Sequence, residues 1–458
     1  MPRTSLSCSD ELSIALQDFK SWFSPGDPIV GTVNRKRALP GNCVVKLTFY
    51  GRAKTKIDVK TSNARTLNRG RASLFSETHV LHQGGVGDDA HFPFNVTVPE
   101  TTQPGMKTRG DSFHRVPNPK ERFLSSEDDV SQHSLPSSFY YKGDRSIWSG
   151  KQQESYVEYV LLAELTGPKT KITATFPLFI HARSTPSPLQ DRQLATQSQF
   201  FDSKMRLVSG AADGEQSMWQ KSMNVFTSKA PKVGFNLCVE VPSLIQLEHP
   251  DPVPIGLYVD VFTDPERKYN PTVGLDLVTK LNLKARTEIR APGTFVDHES
   301  GRDHEYVLLQ SYHVAPSVAI PVQSVWIESS QVGTSGLTPL QLGEVLQLRI
   351  DTEGVTCQEK RHEFEGKRRL QPSFKTYNIN VSYWLEWKFV FRWGAMVRPF
   401  EGSVPVTVLP PSEQQESLKM QELGTEGMKK SYDDYARAAE IGLTGLDLVT
   451  TIIQGFGG

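Results

Sequence analysis

Apolar and polar positions alternate in short runs along most of the chain, and turn residues separate the runs. Leu12, Ile14 and Leu16 alternate with Ser13, Ala15 and Gln17, the period of two that marks a half-buried strand. Ser24-Pro25-Gly26-Asp27 is a turn that opens a second run at 28–33, and Pro40-Gly41-Asn42 opens a third at 45–51. Runs at 92–98, 156–165 and 172–180 have ordinary strand lengths. The pattern predicts an antiparallel β-sandwich over residues 1–181.

The rhythm resumes at 235–241 and continues through 275–289, 345–350, 377–391 and 404–409, after which Pro410-Pro411 stops it. The run 377–391 is the richest, with Tyr383, Trp384, Leu385, Trp387, Phe389 and Phe391. A second sandwich is expected over 232–410. No long helical pattern separates the strands, which disfavours a parallel α/β sheet. Residues 101–134 break the pattern: only Met106, Phe113, Val116, Phe123, Leu124 and Val130 are large and apolar, so this segment reads as a flexible insertion. Residues 182–231 read as an interdomain linker. The tail, 411–458, carries Tyr432, Tyr435, Ala439, Gly442, Leu446, Val449 and Ile453 at spacings of three and four, which predicts an amphipathic helix over 431–453 with Ser431 as its cap. Gly442 and Gly445 each cost such a helix about 1 kcal/mol, so it needs a docking surface.

Composition narrows the function. Of 458 residues, 51 are Lys or Arg and 51 are Asp or Glu; this neutrality disfavours nucleic acid as a partner. With 34 Gly and 30 Pro, the chain is rich in turns and unsuited to long helices. No apolar run approaches the roughly 20 residues of a membrane span, and the start, Met-Pro-Arg-Thr-Ser-Leu, lacks the features of a secretion signal. The expected location is the cytoplasm, with recruitment to plasma membrane or endosomes. Cys8, Cys43, Cys238 and Cys357 are scattered, so neither a disulfide framework nor a zinc knuckle is predicted.

A nucleophile elbow, Walker loop, zincin motif and dinucleotide fingerprint are all absent, so catalytic residues, metal ligands and cofactors are all expected to be none. His79, His82 and His91 flank a Gly-rich turn and read as hairpin histidines. The acidic run Asp297, Glu299, Asp303 and Glu305 reads as a solvated loop. Leu244-Ile245-Gln246-Leu247-Glu248 matches a clathrin-binding pattern but reads as an ordinary buried strand, and Arg109-Gly110-Asp111 falls in the insertion.

One segment departs from neutrality. Between Arg35 and Arg71 there are eleven basic residues and a single acid, Asp58. Along a strand, Arg52, Lys54, Lys56, Asp58 and Lys60 share a face. Arg35, Lys36, Arg37, Arg52, Lys54, Lys56 and Lys60 are therefore the candidate phosphate- or cargo-binding residues, since clustered cations suit phosphates and carboxylates. A charged face that simply blocks edge association is the alternative.

In order and spacing, several motifs resemble the arrestin family, and the α-arrestin group within it. They are Leu12-Ser-Ile14-Ala-Leu16, Ser24-Pro25-Gly26-Asp27 with Gly31, and Leu47-Thr-Phe49-Tyr50-Gly51-Arg52-Ala53. Phe92-Pro93-Phe94 with Pro99, Leu135-Pro136-Ser137-Ser138-Phe139, Tyr156-x-x-Tyr159 and Phe176-Pro177-Leu178 follow. The resemblance covers about 10–181, and 232–410 is similar to the carboxy-terminal domain.

The resemblance implies an all-β fold of two immunoglobulin-like antiparallel β-sandwich domains with a C-terminal helical tail. It also implies a non-enzymatic adaptor that binds cytosolic tails of membrane transporters or receptors, often phosphorylated, and promotes their ubiquitination, endocytosis or trafficking. A phosphoinositide or membrane contact is a further partner expectation. α-Arrestins commonly recruit HECT-type ubiquitin ligases through Pro-Pro-x-Tyr, yet none of the 13 tyrosines has Pro two positions before it, so a ligase partner would need another route. A structural subunit of a retromer-like sorting coat is the runner-up, and an enzyme without a recognisable motif the third reading.

Overall fold

The computed structural model describes residues 4–7, 11–17, 22–60, 65–102, 123–124, 134–143, 151–204, 232–262, 273–274, 279–291, 298–312, 319–320, 322–324, 340–364, 369–393 and 396–418. These residues form an all-β protein of five sheets whose strands pair almost entirely antiparallel. The tail helix expected at 431–453, the Arg109-Gly110-Asp111 triplet and most of the 101–134 insertion lie outside them.

In the first half, β1 (Ser13–Leu16), β2 (Pro28–Arg35) and β5 (Ala90–Thr97) form one sheet in the order β1-β2-β5. A second sheet runs β4 (Arg65–Val86), β3 (Leu39–Lys60), β7 (Lys151–Thr166) and β6 (Phe139–Lys142), and β8 (Lys171–Leu178) also pairs with β7. Period-two burial is clearest in β3: Cys43, Val45, Leu47, Phe49, Ala53 and Ile57 are fully buried, and the even-numbered residues from 44 to 56 face outward. Ile29 and Val33 of β2 and Phe92, Phe94 and Val96 of β5 belong to the same core. Tyr159 is fully buried, and its hydroxyl donates to the Pro136 carbonyl at 2.5 Å, which supplies the partner that a buried phenol needs.

Two glycines act through their missing side chains. A Cβ on Gly51 would lie 2.7 Å from both Phe75 and Tyr159, and one on Gly31 would lie 2.5 Å from the Ala15 carbonyl and from Phe94. The aromatic core of the first half closes over these positions.

In the second half, β9 (Leu194–Lys204), β10 (Lys232–Pro242), β12 (Gly256–Phe262) and β17 (Val322–Ser324) form a sheet, and β18 (Leu340–Gln341) pairs with β12. The largest sheet is centred on β14 (Thr279–Ala291), β23 (Ile379–Trp393) and β24 (Met396–Leu409). It includes β11 (Leu244–Gln246), β13 (Val273–Gly274), β15 (His298–Tyr312), β16 (Ala319–Ile320) and β22 (Phe374–Lys375). A small sheet joins β19 (Arg349–Ile350), β20 (Gly354–Cys357) and β21 (Lys360–Glu363).

Three expectations are corrected. The segment 182–231 contains β9, which pairs residue for residue with β10; its apolar residues are too sparse to announce a strand without that partner. Residues 298–305 belong to β15 and are not a loop: Glu299, Asp303 and Glu305 stand in register opposite Arg290, Arg286 and Lys284, so the acidic run is complementary to its partner strand. The run 345–350 splits between a short helix, α1 (Leu342–Leu346), and β19. The helix lies so close to its neighbour that a Cβ on Gly343 would overlap the Val253 carbonyl. The pentapeptide 244–248 is, as expected, built around a strand, with Ile245 and Leu247 buried and β11 paired to β24.

The two halves meet along a seam. Thr55 donates its hydroxyl to the Arg290 carbonyl at 2.5 Å, and Asn378 Nδ2 donates to the Ala53 carbonyl at 3.3 Å. Phe139 packs edge-on against Phe374, while Ile57 packs with Ile289 and Ala291. Just before β9, Arg192 reaches the Pro252 carbonyl at 2.6 Å and donates to His249 Nδ1 at 2.6 Å. Burial, with Arg192 beside it, holds the His249 imidazole below its ordinary range. No helix among the described residues is long and apolar enough to cross a membrane.

Gly51→Ala is expected to lose about 1–3 kcal/mol in urea unfolding, because Phe75 and Tyr159 are fully buried and cannot both move away. Gly87→Ala is the neutral control, since an added Cβ there would meet nothing within 4 Å.

Candidate cationic sheet face

The β3–β4 hairpin folds the basic run back on itself. Lys54 stands opposite Arg71, Lys56 opposite Arg69, and Lys60 opposite Arg65; directly opposed residues project from the same side of a sheet. On the other flank β7 brings Glu158 opposite Arg52, Tyr156 opposite Lys54 and Glu154 opposite Lys56. From Arg52 to the hairpin end, the outward face of β4-β3-β7 thus gathers Arg52, Lys54, Lys56, Lys60, Arg65, Arg69 and Arg71 around three carboxylates, Asp58, Glu154 and Glu158. Seven positive charges against three negative leave a surplus of four.

The carboxylates are not spread evenly. Glu158 has no exposed side-chain surface, and it accepts from Arg52 Nε at 2.5 Å, the Thr4 backbone N–H at 2.9 Å and the Thr4 hydroxyl at 3.1 Å. Lys54 Nζ is 3.9 Å from the same carboxylate and lies over the Tyr156 ring. Burial alone would raise the Glu158 carboxyl; Arg52, the Thr4 N–H and Lys54 outweigh it and hold it below the usual carboxylate range. Lys56 Nζ lies 3.8 Å from Glu154, and Arg65 grips Asp58 with two nitrogens at 3.0 and 2.7 Å.

Exposure rises along the face toward the hairpin end. The Arg52 side chain is 15% exposed, Lys54 27% and Lys56 36%, while Lys60, Arg69 and Arg71 are exposed. Arg52 is thereby a structural cation. The positive surplus faces solvent toward the hairpin end, where Lys60 and Arg69 are exposed.

The seven sequence candidates do not converge. Arg52, Lys54, Lys56 and Lys60 share the face, but Arg35 is on β2, in the other sheet, and is 5% exposed. Its guanidinium donates to the Arg37 and Glu11 carbonyls at 2.8 and 2.6 Å, so it clamps the chain. Lys36 and Arg37 lie beside the Asp88–Asp89 turn, where the Asp89 N–H donates to the Lys36 carbonyl at 3.2 Å. Fifteen residues of chain, about 50 Å if extended, separate Arg37 from Arg52. The face instead takes in Arg65, Arg69 and Arg71, which reading 35–71 as one hairpin would have paired with Lys60, Lys56 and Lys54. Nothing near the basic run signalled Glu154 and Glu158, which lie about a hundred residues further on.

The histidines singled out in the sequence have separate partners: His82 packs on Phe92, and His91 Nδ1 is 2.7 Å from Asn34 Oδ1. Among the described residues no three His, Cys, Asp or Glu side chains converge as metal ligands. In comparisons with known proteins, the chain matches no protein-family model and no curated protein.

Glu158→Gln is expected to destabilise the protein by about 2 kcal/mol, less than a fully buried pair would lose because Arg52 keeps some contact with water. The folded carboxyl titrates below its unfolded value of about 4.3, so its stabilisation is present above that pH and is lost as pH falls through the lower folded value. Urea unfolding from pH 7 to 3 should therefore show a steeper acid-side loss in the wild type than in Glu158→Gln.

Proposed function

We propose that this protein is a non-catalytic adaptor of arrestin-like architecture, with two immunoglobulin-like β-sandwiches and a C-terminal helix. Its cationic sheet face receives phosphorylated cytosolic tails of membrane transporters or receptors, and the adaptor directs them to endocytosis and trafficking. One observation carries the reading: from Arg52 to the hairpin end, seven Lys and Arg side chains project from one face of β4-β3-β7 around three carboxylates. A phosphate adds close to two negative charges and three acceptor oxygens, and the arginines at the exposed end can bind them bidentately.

The residues that carry the arrestin resemblance also support it, because they meet in space. Gly31 fits under Phe94, Gly51 lies between Phe75 and Tyr159, and Tyr159 bonds to Pro136. The hydroxyls of Ser137 and Ser138 accept from the backbone N–H groups of Ala182 and Ile180 at 2.7 and 3.0 Å. Motifs more than a hundred residues apart thus close one core, as a shared architecture requires.

The test measures binding of phosphorylated and unphosphorylated tail peptides to the wild type and to a Lys56→Ala/Arg69→Ala/Arg71→Ala variant. The phosphorylated peptide should bind the wild type more tightly, and the variant should lose at least about tenfold, or 1.4 kcal/mol, with the loss shrinking as salt rises. Equal affinity for both peptides, or no loss in the variant, would refute the proposal.

A further inference from the structure

Residues 182–193 lead from the end of the first half into β9, and one cluster of side chains holds this connection against the second half. Gln246 on β11 reaches it twice: its Oε1 accepts from the Leu189 N–H at 2.8 Å, and its Nε2 donates to the Thr185 hydroxyl at 2.8 Å. His249, 6% exposed, supplies the other hold. Its Nε2 lies 3.0 Å from the Leu189 carbonyl oxygen, and its Nδ1 lies 3.0 Å from the Asp251 backbone nitrogen and 2.6 Å from Arg192 Nη2. Arg192 Nη1 in turn donates to the Pro252 carbonyl at 2.6 Å.

These partners fix where the imidazole carries its proton. A backbone N–H and a guanidinium can only donate, so Nδ1 is the bare nitrogen, and Nε2 gives its proton to the Leu189 carbonyl. A second proton, on Nδ1, would point at two donors. The charged groups around the ring are Arg192 on the connection, Asp251 and Glu248 on the ring's own loop, and Arg349 on β19, whose Nε donates to the Pro250 carbonyl at 2.7 Å. Asp191, beside Arg192, is turned to the Gln193 N–H at 2.8 Å. Burial disfavours the imidazolium most and Arg192 adds to it; the Leu189 carbonyl and Asp251 offset them only in part.

The cluster also holds strained backbone. Glu248, just before His249, and Gln193, just after Arg192, have φ of 56° and 48°. Such left-handed values cost a residue other than Gly about 1 kcal/mol or more. Opening the cluster therefore releases strain as well as contacts.

We propose that His249 is a pH-sensitive latch: at neutral pH the uncharged imidazole pins the connection to the second half, and in mild acid a proton from solvent on Nδ1 expels Arg192 and lets the connection come away. Once open, the imidazole titrates at its ordinary value of about 6.5, whereas in the closed cluster it titrates lower. The hold is thus complete above about pH 6.5 and weakens as pH falls through the interval between the two values. The latch lies apart from the cationic face, so its test does not depend on what that face binds.

Hydrogen exchange of the full chain, corrected for the intrinsic effect of pH on exchange, reads the latch, since the Leu189 amide is protected through Gln246. Protection over residues 187–193 is expected to fall at least about threefold from about pH 7.5 to 5.5, with that of β3 unchanged. His249→Gln cannot take the proton and should keep the same protection at both values. Asp251→Asn removes an exposed carboxylate that favours the imidazolium, so its release should move to lower pH. An unchanged thermal transition at neutral pH checks that both variants are folded. Constant protection in the wild type overturns the inference. So does an equal loss in His249→Gln, or an unmoved release pH in Asp251→Asn.

Discussion

Between Val44 and Val59, every residue of β3 is held on one side by β7, and through most of that span by β4 on the other. Side chains alternate faces along a strand, so a slip of one residue would exchange the two faces outright. It would push Phe49, Ala53 and Ile57 into water and drive Arg52, Lys54 and Lys56 into the core. The register of this one strand therefore decides both what the first half buries and what charge it displays. Gly51 is the point where the constraint is tightest, since β3 passes between Phe75 and Tyr159 with no room for a methyl group.

The display of charge is shaped from within. Glu158 is buried beneath the outward face and satisfied by Arg52 and Thr4, so it consumes the cation nearest the middle of the sheet and ties down the chain at Thr4. A buried carboxylate without those partners would be costly. With them it makes Arg52 part of the fold; toward the hairpin end, buried Asp58 and Glu154 hold Arg65 and Lys56, and the cations there still outnumber the acids. The proposed anion-binding role follows from that gradient more than from the number of basic residues.

An open sheet edge invites pairing with another strand, and β4 is the long edge of its sheet. On β4, Arg65, Arg69 and Arg71 repel a like strand, which makes that edge safe and at the same time builds the cationic face.

Local pattern was enough to place many of the longer strands, though not β4, β9, β12 or β15, because alternation and turn chemistry are properties of adjacent residues. The runs at 45–51, 92–98, 156–165 and 377–391 and the turn at Pro25-Gly26 all lie where the sequence puts them, and so does the shared face of Arg52, Lys54, Lys56 and Lys60. Other elements depend on partners far along the chain. β9 is a strand because β10 pairs with it. The acidic residues of β15 are in a strand because β14 sets basic residues opposite them, and Leu342–Leu346 is helical because it packs against Val253, a choice that a short apolar run leaves open. The charged face divides in the same way. The sequence by itself determined how many cations lie between Arg35 and Arg71 and which alternate ones point together. Tertiary structure alone decided that Arg35 is buried in another sheet and that Glu154 and Glu158 arrive from β7. Coulomb energy depends on distance in space, and only the folded sheet sets that distance.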